Sequence, residues 1–145
     1  MRILRMTLLS LLLLMIALPL YAGGRLTYYC STDIAWCELM KKEFEKRTGI
    51  RVSMTRASTG ETLAKIRAEK SNPKGDVWWG GTGDPHLQAA EEGLSQAYNS
   101  PKLSELNDWA KAPHKATGGK TVGIYLGALG FGYNTELLAK KGMPE

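Results

Sequence analysis

Three times between Leu26 and Leu94 the sequence passes from a short apolar run, through a turn rich in hydroxyls or glycines, into a helical pattern. The clearest copy is Asp76 to Leu94, DVWWGGTGDPHLQAAEEGL. Val77, Trp78 and Trp79 read as a short buried strand, Gly80, Gly81, Thr82 and Gly83 as a glycine-rich turn, and the remainder as a helix. Asp84 is a good N-cap, and Pro85 suits the first helical position, where a missing N–H leaves nothing unpaired. Gly93 is placed to close the helix, with Leu94 folding back on its last turn.

The two earlier copies follow the same plan. Leu26 to Cys30 (LTYYC) is a strand candidate, and any of Ser31, Thr32 and Asp33 can cap the helix after it. Trp36, Leu39, Met40 and Phe44 supply that helix with an apolar stripe, and Gly49 ends it. Ile50 to Thr55 alternates apolar and polar residues as a second strand. Ser58-Thr59-Gly60-Glu61 is then a capping box, opening a helix with Leu63, Ala64, Ile66 and Ala68 on its apolar side, broken by Asn72-Pro73-Lys74-Gly75. Repeated strand-then-helix units predict an α/β fold with an open, mostly parallel sheet flanked by helices.

Beyond Ser95 the pattern weakens. Ser100-Pro101 can start a short helix through Trp109, with loop after it. Thr121 to Tyr125 and Ala128 to Tyr133 are two further strand candidates joined at Gly127. Asn134 or Thr135 caps a last helix, Glu136 to Lys141, stopped by Gly142. The sequence ends at Glu145 with no closing element after that helix, which reads as a fragment.

Residues 1–22 carry a basic start (Arg2, Arg5), an apolar run from Leu8 to Leu20 and a small residue at Ala22. This is the pattern of a cleaved secretory signal peptide, too short to span and stop in a membrane, and it predicts export. The net charge of +5 includes both leader arginines. The rest carries about +3, with lysines and glutamates interspersed on helix faces, which excludes a nucleic-acid-binding stripe. Roughly 120 remaining residues are enough for one domain with a real core. Two cysteines in an exported chain predict a disulfide, Cys30 to Cys37, between a strand end and the next helix.

In an open parallel sheet, ligands bind outside the carboxyl ends of the strands. Here those ends carry Ser31-Thr32, Ser58-Thr59-Gly60 and Gly81-Thr82, each just before a helix whose first amides lack intrahelical partners. One such hydroxyl is ordinarily an N-cap; three sets can converge on a small oxyanion. Enzyme signatures fail. Gly119-Lys120-Thr121 resembles a P-loop tail, but the position of the required first glycine is His114. There is no GxSxG, HExxH or GxGxxG, and neither His86 nor His114 has ligand-spaced partners, so no metal, cofactor or catalytic residue is expected.

The stretches LTYYCSTDIAWCELMKKEFEKRTGI, AEKSNPKGDVWWGGTGDPHLQAAEEGL and VGIYLGALGFGYNTELL resemble the periplasmic substrate-binding proteins of ABC importers, in the ferric-iron and hexose-phosphate branch of the type II, two-lobed group. The resemblance implies two α/β lobes joined by a hinge, with the ligand held between them. On that reading residues 23–127 form the first lobe, 128–145 hold the hinge crossover and the start of a second lobe that is largely missing, and Gly127-Ala128-Leu129-Gly130 marks the crossover. Ferric-binding members of the family carry a histidine in the first loop and a carboxylate after the third strand. Ser31-Thr32-Asp33 and Gly80-Gly81-Thr82 match neither.

The expected function is therefore capture of a small anionic solute, with a sugar phosphate or other organophosphate favoured over ferric iron, for an inner-membrane ABC permease. The protein is expected to be a monomer. Ser31, Thr32, Ser58, Thr59, Gly60, Gly81 and Thr82 are the candidate ligand contacts. The rivals are a ferric-iron carrier, an exported α/β hydrolase whose nucleophile lies elsewhere, and a truncated, non-functional gene product.

Overall fold

The structure, a computed structural model, describes residues 23–128 and 130–142. The expected signal peptide, Leu129 of the expected crossover and the last three residues lie outside the described residues. Two units are distinguished. The first, ending at Gly81, holds β1 (Arg25–Cys30), α1 (Ile34–Thr48), β2 (Arg51–Arg56), α2 (Thr59–Ala68) and β3 (Val77–Trp79). The second holds α3 (Gly83–Glu91), a 3-10 turn at Leu103–Glu105, α4 (Asp108–Ala116) and α5 (Thr135–Lys140).

The three strands are parallel, in the order β2-β1-β3. Central β1 pairs Arg25 with Arg51 through Cys30 with Arg56 on one side, and Tyr28 with Val77 through Cys30 with Trp79 on the other. The chain thus moves one way from β1 and returns across it. Right-handed crossovers then put the connecting helices on opposite faces of the sheet. The alternation of β1 side chains agrees. Tyr28 and Cys30 join Cys37 of α1 and Val52 in a core cluster. Tyr29, one residue out of phase, meets the other helix: its hydroxyl donates to Glu69 at 2.8 Å, and the Lys65 ammonium lies 5.4 Å from its ring centroid. Burial, reinforced by Glu69, pushes the Tyr29 hydroxyl up to about 12, so it stays a neutral donor.

Several expectations are corrected. The stripe on α1 is not its buried face: Trp36 and Leu39 are 51% and 56% exposed, and Cys37 is the buried residue. Cys37, joined to Cys30, faces the sheet, and Trp36 and Leu39 lie off that face. Met40 and Phe44 border an apolar groove with Leu26, Val52, Val77 and Trp79. On α2 the buried residues are Thr62 and Leu63, while Ala64 and Ala68 are exposed. The helix face is set by where the chain enters from β2, and that rotation puts a threonine inside.

In the second unit, Thr82 and not Asp84 is the N-cap of α3, with Asp84 and Pro85 inside its first turn. A proline is harmless anywhere in that turn, since its amides have no intrahelical acceptors, and an acidic residue there complements the helix dipole. The C-terminal expectation holds: Gly93 has φ +69°, and Leu94 N–H donates to Ala89 carbonyl at 2.8 Å. The single helix expected through Trp109 is instead a 3-10 turn followed by α4, which runs on past Pro113. Proline removes one helical bond, and buried Ala110, whose carbonyl also accepts from Gly123 N–H at 2.9 Å, anchors the helix nonetheless.

The two strand candidates after Thr121 are not strands among the described residues. Leu126 is 73% exposed there. Apolar alternation makes a strand only where a neighbour completes the ladder of N–H and C=O groups, and none does here among the described residues.

Candidate functional site

The reversal of direction at β1 marks a switch point at the carboxyl ends of β1 and β3, the place where open α/β sheets hold ligands. The turns after all three strands of the first unit end beside it. After β1, the loop Ser31-Thr32-Asp33 is held by the Cys30–Cys37 disulfide, whose Cα atoms are 6.0 Å apart. Asp33 is the N-cap of α1, its carboxylate accepting from Ala35 N–H at 2.8 Å. Capping is therefore settled without Ser31 or Thr32. Ser31 N–H extends the ladder by donating to Trp79 carbonyl at 3.0 Å. Its hydroxyl accepts from the Trp78 indole Nε1–H at 2.9 Å and lies 3.0 Å from the hydroxyl of Thr62.

After β2, Ser58 forms a complete capping box. Its hydroxyl accepts from Glu61 N–H at 3.3 Å, and its own N–H donates to the Glu61 carboxylate at 2.9 Å. Those bonds, the side-chain one first, hold the Glu61 carboxyl below the usual carboxylate range. Arg56, at the end of β2, reaches back: its Nε–H donates to Thr32 carbonyl at 2.8 Å and so brings a guanidinium to the same loop.

After β3, Gly80 and Gly81 both adopt positive φ, +82° and +92°. Space is as restrictive as conformation. A Cβ on Gly80 would lie 2.9 Å from Thr32 Cβ, and one on Gly81 would collide with Thr59 Oγ1 and come within 3.0 Å of Ser31 Cβ. The backbone of the glycine turn is thus seated directly on the side chains of the other two turns.

Of the seven residues picked from the sequence, Ser31, Thr32, Thr59 and Gly81 come together in one cluster of the first unit. Ser58 is at its edge and engaged in capping, and Gly60 is exposed with open space where a side chain would stand. Thr82 opens the second unit as the N-cap of α3, with no side-chain capping bond. Sequence reasoning missed Trp78, Thr62 and Arg56. Trp78 could have been found, because adjacent residues of a strand point to opposite faces and only one tryptophan of the pair can join the α1 face. Trp79 takes that role, 6.5 Å from Tyr28 between ring centroids.

Hydroxyls, two tightly seated glycines and one guanidinium make a site suited to hold oxygen atoms of an anion. Among the described residues no group of three or more His, Cys, Asp or Glu stands where it could hold a metal ion.

Residues 40–145 match the family described as bacterial extracellular solute-binding protein. A protein of Haemophilus influenzae without an assigned function is 46% identical over 124 residues, 86% of this chain and 36% of that one. Among solved structures, the periplasmic binding protein AfuA from Actinobacillus pleuropneumoniae, bound to fructose-6-phosphate, is 44% identical with a TM-score of 0.74, over 86% of this chain and 39% of that one. The periplasmic binding protein P5PA is 42% identical with a TM-score of 0.73, over 84% and 39%. Iron-bound HitA from Pseudomonas aeruginosa shares the fold at 23% identity and a TM-score of 0.57, over 60% and 28%. The chain spans little more than a third of the length of the Haemophilus protein, AfuA and P5PA.

Proposed function

The chain belongs to the bacterial extracellular solute-binding proteins, and from that premise we propose that its first unit is one wall of a periplasmic site for a sugar phosphate or a related organophosphate. The whole protein would deliver that solute to an inner-membrane ABC permease. One observation carries the reading: the turns after β1, β2 and β3 converge so that Ser31, Thr32, Thr59 and the Gly80–Gly81 backbone share one cluster. Hydrogen bonds to an ionised partner are worth about 1.5–3 kcal/mol each, so a few convergent donors are enough for recognition.

The choice of ligand class rests on the same residues. Hydroxyls and amides suit phosphoryl oxygens, whereas ferric iron calls for carboxylate, imidazole or phenolate ligands. AfuA, at 44% identity, was solved with fructose-6-phosphate bound, and iron-bound HitA at 23% speaks for the fold alone. The proposed wall is drawn from the first unit only, with Ser58 and Gly60 shaping the start of α2 behind it.

Titration of the chain with fructose 6-phosphate, inorganic phosphate and ferric citrate, read by amide chemical shifts, tests the proposal. Both phosphorylated compounds should move resonances of residues 31–32, 59–60 and 80–81, weakly, because a single wall supplies few contacts. A response to ferric citrate with none to either phosphate would reverse the ligand assignment.

A further inference from the structure

Ser31 is held from behind by two residues that have no place in the wall itself. Resting on the anion-site reading above, we infer that Trp78 and Thr62 are positioning residues that commit the Ser31 hydroxyl to donating its hydrogen to the ligand.

A hydroxyl has one hydrogen to give and two lone pairs with which to accept, while an indole N–H can only donate. Trp78 Nε1, 2.9 Å from Ser31 Oγ, therefore occupies one Ser31 lone pair. Thr62 Oγ1, 3.0 Å away, either accepts from Ser31 or donates to it. Thr62 is 2% exposed, and among the described residues Ser31 is the one hydrogen-bond partner its hydroxyl has. Were Ser31 the donor, the Thr62 hydrogen would be stranded in a buried position with no acceptor, an arrangement folded proteins avoid.

With Thr62 donating, both Ser31 lone pairs are filled from behind. The single capacity left to Ser31 is its hydrogen, and Ser31 is only part-buried, so that hydrogen can face a ligand. The consequence is selectivity by polarity. Ser31 favours an ionised phosphoryl or other acceptor oxygen and gives nothing to a ligand group that arrives as a donor, such as an ammonium or a protonated phosphate O–H. Ser58 lacks such a backing, since its oxygen accepts from one amide of its own helix.

The test has a ligand-free step and a ligand-bound step on the full chain. In the free protein, the Trp78 indole N–H resonance, assigned by its loss in Trp78→Phe, should move upfield in Ser31→Ala. No movement overturns the inference whatever the ligand. With fructose 6-phosphate, Thr62→Val, which keeps shape and deletes only the donor, and Trp78→Phe, which deletes the indole N–H together with part of the ring, should each weaken binding about five- to tenfold. Thr62→Ser should restore it to within about twofold, which a purely space-filling role for the methyl group would not do. If wild type binds and both deletion variants bind equally well, the positioning role is overturned and the anion site stands. If wild type gives no response at residues 31–32, 59–60 and 80–81, the site reading fails and takes this inference with it.

Discussion

The turns after β1 and β2 look alike in sequence, each offering a serine followed by a threonine ahead of a helix, and the fold uses them differently. Ser58 caps α2 in a reciprocal box with Glu61. Ser31 is relieved of that duty because Asp33, two residues on, caps α1 instead. The released hydroxyl is turned toward Trp78 and Thr62. A hydroxyl at a helix start is thus free for a ligand only when another residue does the capping. That condition can be read from a sequence when a second capping residue stands nearby.

The largest expected effect comes from the glycine that seats both turns. Gly81→Val adds a β-branched side chain at φ +92°, where it collides with Thr59. Strain and overpacking together should cost about 3–5 kcal/mol in urea unfolding. An effect below about 1 kcal/mol would show that the two turns are not packed on this backbone. Next is the disulfide. Replacing Cys30 and Cys37 by alanine should cost about 2–3 kcal/mol on loop-closure grounds and should broaden amide resonances of 31–33 while sparing 58–61. Equal broadening in both turns would erase the distinction between them.

Ser31→Ala and Ser58→Ala set the two turns against each other directly. Ser58→Ala should lose about 1 kcal/mol, the ordinary value of an N-cap. Ser31→Ala should lose about 1–3 kcal/mol, because it leaves buried Thr62 without its partner. Affinity for fructose 6-phosphate should fall more than tenfold in Ser31→Ala and less than about threefold in Ser58→Ala; the reverse order would put the ligand on the second turn.

The smallest effect is one of pH. The Glu61 carboxyl titrates below its ordinary range in the folded chain, so its stabilising bonds are complete above the unfolded value and disappear as pH falls through the folded one. Acid should therefore shift the Ser58 and Glu61 amide resonances and leave those of Ser31 in place. Glu61→Gln, which can still close the box, should remove that acid response.

How much of this was legible depended on how local each cause is. The capping box at Ser58, the αL closure at Gly93 and the β-α-β-α-β order follow from neighbours a few residues apart, and the structure has them as expected. The disulfide followed from spacing of the same short range. What failed depended on rotation or on distant partners. The face that α1 buries is the one joined to Cys30, and the burial of Thr62 is set by the entry of α2 from β2. The alternation after Thr121 has no ladder to join among the described residues. The cluster around Ser31 joins residues up to 50 positions apart, Ser31 and Gly81, so its members were visible one by one but its wiring was not.

The Cys30–Cys37 bond has one more consequence, for the order of events when the chain first folds. The two cysteines are seven positions apart, so their thiols can meet without any long-range search, while the β1 ladder must wait for β2 and β3 to arrive from further along. Oxidation can therefore come before assembly of the sheet. A chain emerging into an oxidising compartment would then bring β1 and the start of α1 to the sheet already joined, with the bend that carries Ser31 and Thr32 formed ahead of everything that later packs against it.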